Sequence, residues 1–241
     1  MKLAARSLDY FEKAMALVKS LSNASLVTLP VSKEWILKSK DTFFGHTEEL
    51  EKFFQVKTSM CMYHPELSIV PMTNHIPLKK VPSAIEKYNS ESLYQSLCFF
   101  RDLFRPARPF AMTGLNPHAG EGGRVGREEA SLVKIVQIFR KKGINISGPA
   151  SADGIFMPSN RKKYSLVVAT YHDQALIPFK ALFGTSGLNI TLNLPVLRVS
   201  PDHGPAYEIA GKNGADIQSV IQSLTFAMRY GEKWIKQYYS R

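Results

Sequence analysis

Apolar residues recur at helical spacing from Ser7 to Leu21, where Leu8, Phe11, Met15 and Val18 fall on one face, and the short run Ala24 to Thr28 reads as a buried strand. Gly45-His46-Thr47-Glu48-Glu49 opens a second helix, Thr58 to Tyr63 and Leu67 to Pro71 read as strands, and Ser90 to Phe104 as a longer helix. Pro109 to Leu115 predicts a strand, and Arg127 to Lys142 a helix that Gly143 stops. Ser165 to Tyr171 and Leu188 to Leu194 predict two more strands, and Ala215 to Tyr239 a closing helix that a break could interrupt. Helices and strands alternating in this way imply an α/β layered sheet. No internal repeat, low-complexity tract or long linker divides the sequence, so any domain boundary must be a crossover within that architecture.

Composition narrows the class. With 241 residues, 44% of them hydrophobic and 21% charged, the chain can bury a core as one large or two modest domains. No apolar run approaches the roughly 20 residues of a membrane span, and Lys2, Arg6 and Asp9 break the start too often for a secretory signal, so the expected compartment is the cytoplasm. Cys61 and Cys98 lie far apart outside any Cys-x-x-Cys pattern, which suggests buried small hydrophobes in place of a disulfide framework or thiolate zinc site. The net charge of +11 is dispersed, and its densest groups, Lys141-Lys142 and Arg161-Lys162-Lys163, are short. A nucleic-acid or membrane partner is therefore not expected; an anionic small substrate fits the sign, and so does a solvated basic face.

The candidate chemistry lies at strand ends. His75, His118 and His172 stand beside Asn, Pro or Asp just past predicted strands, where functional groups gather in open α/β sheets. Three neutral imidazoles can bind a divalent cation and leave a position open; any one of them alone reads more readily as a loop or capping histidine, and the three together shift the balance. From Gly114 to Glu129 five glycines, Gly114, Gly120, Gly122, Gly123 and Gly126, precede a helix. That segment reads either as a phosphate cradle or as a structural turn, and its G-x-G-x-x-x-G spacing is one residue too long for a dinucleotide fingerprint. Lys180, Asn189 and Arg198 follow where a phosphate or carboxylate could be held. Ser200-Pro201-Asp202-His203-Gly204 is as well explained by a tight turn and helix cap as by a catalytic role.

Taken in order, Gly114 to Glu129, Tyr171-His172-Asp173-Gln174, Asn189-Ile190-Thr191-Leu192 and Asp202-His203-Gly204 resemble the 4-hydroxythreonine-4-phosphate dehydrogenase family of pyridoxal phosphate biosynthesis. Phe44 to Glu48, Thr73 to Leu78 and Gly148 to Asp153 support it. The resemblance implies an isocitrate/isopropylmalate-dehydrogenase-like fold, a two-domain α/β/α layered sheet with a cleft between domains. Residues 1–40 and 204–241 would be the remnant of a first α/β domain, and residues 41–203 a second domain carrying metal and dimer contacts. It further implies a homodimer with a shared active site, a divalent metal (Zn, Co or Mg) on His75, His118 and His172, and NAD or NADP as cofactor. Substrate contacts carry over to His46, Thr47, Lys180, Asn189 and Arg198, with Asp153 and Lys180 as catalytic candidates. The implied reaction oxidises 4-phosphooxy-L-threonine and decarboxylates the product to 3-amino-2-oxopropyl phosphate. The alternatives are a sister dehydrogenase of another phosphorylated hydroxy acid, or a truncated non-catalytic ligand-binding remnant. Two departures stand out. The family's first strand and Gly-Glu-Pro-Ala-Gly-Ile-Gly loop would precede the helix at Ser7, implying an N-terminal truncation and, if the chain is complete, reduced stability or activity. In Thr28-Leu29-Pro30-Val31-Ser32-Lys33, Leu29 also replaces a glycine, which puts close backbone approach there in question.

Overall fold

The structure is a computed structural model that describes residues 2–32, 36–37, 43, 45–212, 214 and 216–241. Lys33, Phe44 and Ala215, used in the reading above, lie outside the described residues. The chain forms two compact units, Met1–Thr58 with Thr185–Arg241, and Ser59–Gly184. The unit of both chain ends runs to Thr58 and resumes at Thr185; the bounds expected from the sequence were 40 and 204.

The central unit is a five-stranded sheet in the order β2 (Ser59–Tyr63), β3 (Ser68–Thr73), β6 (Leu166–Tyr171), β4 (Phe110–Thr113), β5 (Ile146–Ala150). β2 runs antiparallel to β3, and the other pairings are parallel. Parallel strands are covered on both faces, so they read as continuous apolar runs: every residue of β3 and β4 is buried, and all of β6 except Tyr171. On one face, Ile69, Val167 and Ala169 pack with Ala175 and Phe179 of α8 (His172–Phe183). α4 (Glu91–Phe104) buries Leu93, Leu97 and Phe100, and α5 (Glu129–Lys141) buries Leu132, Ile135, Val136 and Phe139. Both sets follow the three-and-four spacing of one helical face. The short helices α3 (Val81–Glu86), α6 (Ala152–Phe156) and α7 (Pro158–Arg161) complete the unit.

In the unit of the chain ends, β1 (Leu26–Val27) lies parallel to β8 (Arg198–Pro201), which pairs antiparallel with β7 (Leu188–Leu192). α1 (Lys2–Ser20) turns Leu8, Phe11 and Met15 onto a core with Leu26, Leu50 of α2 (His46–Phe54) and Leu194. α9 (Gln218–Tyr239) is continuous, so the break that could have interrupted the closing helix is absent. Gly231 is buried in the helix, where a Cβ would collide with the Ser25 side chain. Nearby Trp234 is buried and donates from Nε1 to the Leu194 carbonyl at 2.9 Å. Cys61 is buried and Cys98 only partly so; burial pushes the Cys61 thiol far above its ordinary range. No helix among the described residues is long and apolar enough to cross a membrane.

Candidate functional site

β3, β6 and β4 are parallel neighbours, so their carboxyl ends emerge on one edge of the sheet. His75 follows β3 by two residues, His172 begins α8 directly after β6, and His118 lies in the turn after β4. The ring centroids of His75 and His172 are 5.6 Å apart. Asp173 Oδ1 lies 2.7 Å from His172 Nδ1. A carboxylate can only accept, so Nδ1 carries the proton and Nε2 offers its lone pair outward, the arrangement that orients metal-binding imidazoles. His118 is exposed, and its charge is among the smaller influences that lower the Asp153 pKa. Asp153, at the start of α6, is held below the usual carboxylate range first by the Ser151 hydroxyl and then by the Gly154 N–H. Among the described residues no three His, Cys, Asp or Glu side chains stand close enough together to hold an ion. The pair His75 and His172 is brought together, and His118 is left apart on its turn.

That turn is unusual in its backbone. His118, Ala119 and Glu121 take positive φ of 53°, 52° and 44°, interleaved with Gly120 and Gly122. Non-glycine residues in the left-handed region carry strain, and such strain persists only where the surroundings impose it. Glu129, 8% exposed, supplies much of that constraint. Its Oε1 accepts from the Leu115 and Asn116 N–H groups at 3.1 and 2.7 Å, and its Oε2 accepts from Asn116 Nδ2 at 3.0 Å. The loop amides that could have cradled a phosphate thus already bind an internal carboxylate, and the structural reading of the glycine segment prevails at Leu115 and Asn116. A Cβ on Gly120 would stand 2.7 Å from Glu129 Oε2, and one on Gly114 2.7 Å from the Ala119 Cα, whereas Gly122 and Gly123 face open space.

The other unit gathers the residues suited to anions. The β7–β8 register sets Asn189 opposite Ser200 and puts Arg198, Thr191 and Ser200 on the same face, joined by Thr28 just past β1. Arg198, 4% exposed, donates from Nε to Thr28 Oγ1 at 3.0 Å and from a terminal nitrogen to Thr191 Oγ1 at 3.3 Å. Burial pushes the guanidinium pKa down to about 10, with Glu48 partly offsetting that cost. It therefore stays charged at neutral pH. Asn189 Oδ1 is buried with no donor among the described residues, as is Asn74 Oδ1 beside His75 in the central unit. His46 begins α2 and is packed against Phe11 at 4.5 Å between ring centroids, and Thr47 follows it. Lys180 is exposed on the last turn of α8. Leu29 is 54% exposed. His203 donates from Nδ1 to the Gly204 carbonyl at 3.0 Å, which leaves Nε2 to accept from the Ser219 hydroxyl at 2.9 Å; this is a tie between the turn and α9.

The sequence reading missed Gln174, whose carboxamide links β4, β6 and α8. Its Oε1 accepts from Thr113 Oγ1 at 2.5 Å and from Thr170 N and Oγ1, each at 2.8 Å, while Nε2 donates to the Gly114 carbonyl at 2.9 Å. A threonine at or next to the end of each histidine-bearing strand, Thr73, Thr113 and Thr170, was the available signal.

Residues 2–227 match the family model described as pyridoxal phosphate biosynthetic protein PdxA. This chain belongs to the PdxA family. A 4-hydroxythreonine-4-phosphate dehydrogenase of Sulfurihydrogenibium sp. is 40% identical over 226 residues, 92% of this chain and 70% of that protein. The crystal structure of the Klebsiella pneumoniae 4-hydroxythreonine-4-phosphate dehydrogenase superposes with a TM-score of 0.74 at 34% identity, covering 91% of this chain and 68% of that one. A D-threonate 4-phosphate dehydrogenase of Bordetella bronchiseptica is 38% identical over 95% of this chain and 66% of its own length. At 10% identity and a TM-score of 0.54, the β-decarboxylating dehydrogenase of Thermococcus kodakarensis, matched over 91% of this chain and 71% of its own, shares the fold alone. The α/β class and the isocitrate/isopropylmalate-dehydrogenase-like architecture expected from the sequence are thereby borne out.

Proposed function

We propose that this chain oxidises 4-phosphooxy-L-threonine with NAD or NADP and a divalent ion, then decarboxylates the product. The substrate's hydroxyl-bearing carbon gives its hydride to the nicotinamide, and the hydroxyl proton goes to a base. The bond to the carboxylate of the resulting β-keto acid then breaks, carbon dioxide departs with an enolate left behind, and a proton taken up at the carbon that carried the carboxylate gives 3-amino-2-oxopropyl phosphate. The observation that carries this reading is Arg198, a buried guanidinium whose hydrogen bonds among the described residues go to two threonine hydroxyls, with Glu48 offsetting only part of its burial. Two neutral hydroxyls repay little of the desolvation of a full charge, so the site is poised for an anion.

In this reading Arg198 holds the phosphate or carboxylate as a bidentate fork, and Lys180 adds a point charge. His46 and Thr47 complete the substrate contacts. Asn189 Oδ1, buried without a donor among the described residues, accepts from the substrate's ammonium or hydroxyl. Asp153, ionised at neutral pH because the Ser151 hydroxyl favours its charged form, is the candidate to receive the hydroxyl proton. The donor chemistry suits a divalent ion: His172 presents Nε2 because Asp173 holds Nδ1, and His75 is its near neighbour. An ion on His75 and His172, with His118 closing on it from the turn where it stands apart in this structure, would lower the pKa of the substrate hydroxyl and steady the charge left by decarboxylation. A homodimer in the cytoplasm fits the resemblance.

The Bordetella relative supports a second reading, in which D-threonate 4-phosphate, with a hydroxyl in place of the amine, is the substrate. The deciding assay is NADH or NADPH formation by the 241-residue chain from each phosphate ester, with Zn, Co or Mg ions added and after chelation. Metal-dependent turnover of the threonine ester is expected. Preference for the threonate ester would install the second reading, and no turnover of either would overturn both.

A further inference from the structure

The backbone ladder between β4 and β6 runs through Phe110–Leu166, Ala111–Val167 and Met112–Val168. At the next level the Gln174 carboxamide stands between the two strands. The Thr170 N–H turns to Gln174 Oε1, and the Gly114 carbonyl takes its hydrogen from Gln174 Nε2. The chemistry fixes the orientation of the amide, because a backbone N–H can only donate and a carbonyl can only accept. One side chain therefore replaces a peptide unit where the strands part. Thr113 Oγ1 and Thr170 Oγ1 add their hydrogens to the same oxygen, and Thr73 Oγ1 donates to the Thr170 carbonyl at 2.9 Å. All three threonines are buried. The network thus joins β3, β4 and β6 at or next to their last residues, before the chain leaves for His75, His118 and His172.

We propose that Gln174 is a positioning residue: by bridging β4 to β6 and the first turn of α8, it fixes where the turn that bears His118 leaves the sheet relative to His172, with His75 tied in through Thr73. The inference rests on the reading that these histidines hold a divalent ion. A sheet already laddered from Phe110 to Met112 does not need this bridge to form. Its effect falls on the strand ends. Outer groups that orient metal ligands cost about 10- to 100-fold in metal affinity when lost.

The test uses the full 241-residue chain and Co²⁺, titrated by visible absorption well below the melting temperature, with the melt recorded alongside. Gln174→Glu keeps an acceptor for three donors but turns a carboxylate oxygen toward the Gly114 carbonyl. Thr113→Val removes one donor at constant shape and stands in should the first variant fail to fold. Trp234→Phe, which removes a buried hydrogen bond in the other unit, is the control for general destabilisation. Co²⁺ affinity is expected to fall about 10- to 100-fold in Gln174→Glu, and by less, with an altered absorption band, in Thr113→Val, while Trp234→Phe lowers the melting temperature alone. Unchanged affinity in both network variants, or an equal loss in Trp234→Phe, overturns the positioning role and leaves the metal reading intact. If the wild type binds no Co²⁺, or His172→Ala binds it as well as wild type, the metal reading fails and the inference with it.

Discussion

Arg198 sets stability against function at the scale of one residue. Among the described residues its buried charge is hydrogen-bonded to the Thr28 and Thr191 hydroxyls, with Glu48 a partial offset, so replacing it by an apolar chain of similar length removes a desolvation cost along with the charge. Arg198→Met is expected to melt at the wild-type temperature or about 2–4 °C above it, the shift that roughly 1 kcal/mol produces in a chain of this size. The same variant should lose about two orders of magnitude in kcat/KM, since a charge-assisted, desolvated contact with an anion is worth about 2–4 kcal/mol. Substrate should also raise the wild-type melting temperature and leave that of the variant unmoved. Calorimetry with and without the phosphate ester reads both effects. A variant that is less stable yet fully active would show Arg198 to be a structural residue.

At the scale of elements, the glycine turn separates backbone strain from contact. Gly120 and Gly122 both take positive φ, 77° and 68°, but a Cβ on Gly120 would press on the Glu129 carboxylate while one on Gly122 meets open space. Gly122→Ala should therefore cost about 1 kcal/mol, the left-handed penalty alone. Gly120→Ala should cost about 2–4 kcal/mol, because it also displaces the carboxylate that holds Leu115 and Asn116. Urea midpoints compare the two directly, and equal losses would mean that Glu129 does not clamp the turn. The same contrast explains what could be read in the sequence. β3, β6, α4 and α5 follow simple apolar runs or helical spacing, so their types were legible. β5 was missed because Gly148 and Pro149 interrupt its pattern, and β8 because Arg198, Ser200 and Pro201 disguise a four-residue buried strand. α8 was missed because Pro178 lies inside it. The histidine positions followed from strand ends. The roles of Glu129 and Gln174 did not, because the partners that define them lie far off in sequence, Asn116 13 residues from Glu129 and Thr113 61 from Gln174.

Over the whole molecule, the net charge of +11 gives an anionic substrate a favourable field before it touches any one side chain. That field is long-ranged and screened by salt, with a Debye length of about 10 Å at 0.1 M and about 30 Å at 0.01 M. The contact at Arg198 is buried and much less open to screening. The two contributions can therefore be separated. Raising sodium chloride from about 0.01 M to about 0.3 M should lower kcat/KM several-fold while kcat holds nearly constant, because the field acts on encounter and not on the bound state. Arg198→Met should start about a hundredfold lower and show the same proportional decline. If the salt effect instead disappears in the variant, the decline in the wild type is chloride competing at one guanidinium, and the dispersed basic surface plays no part in substrate capture. A proportional decline in both proteins would give the basic excess a role that requires no nucleic-acid partner, consistent with lysines and arginines spread over the chain in place of a single stripe.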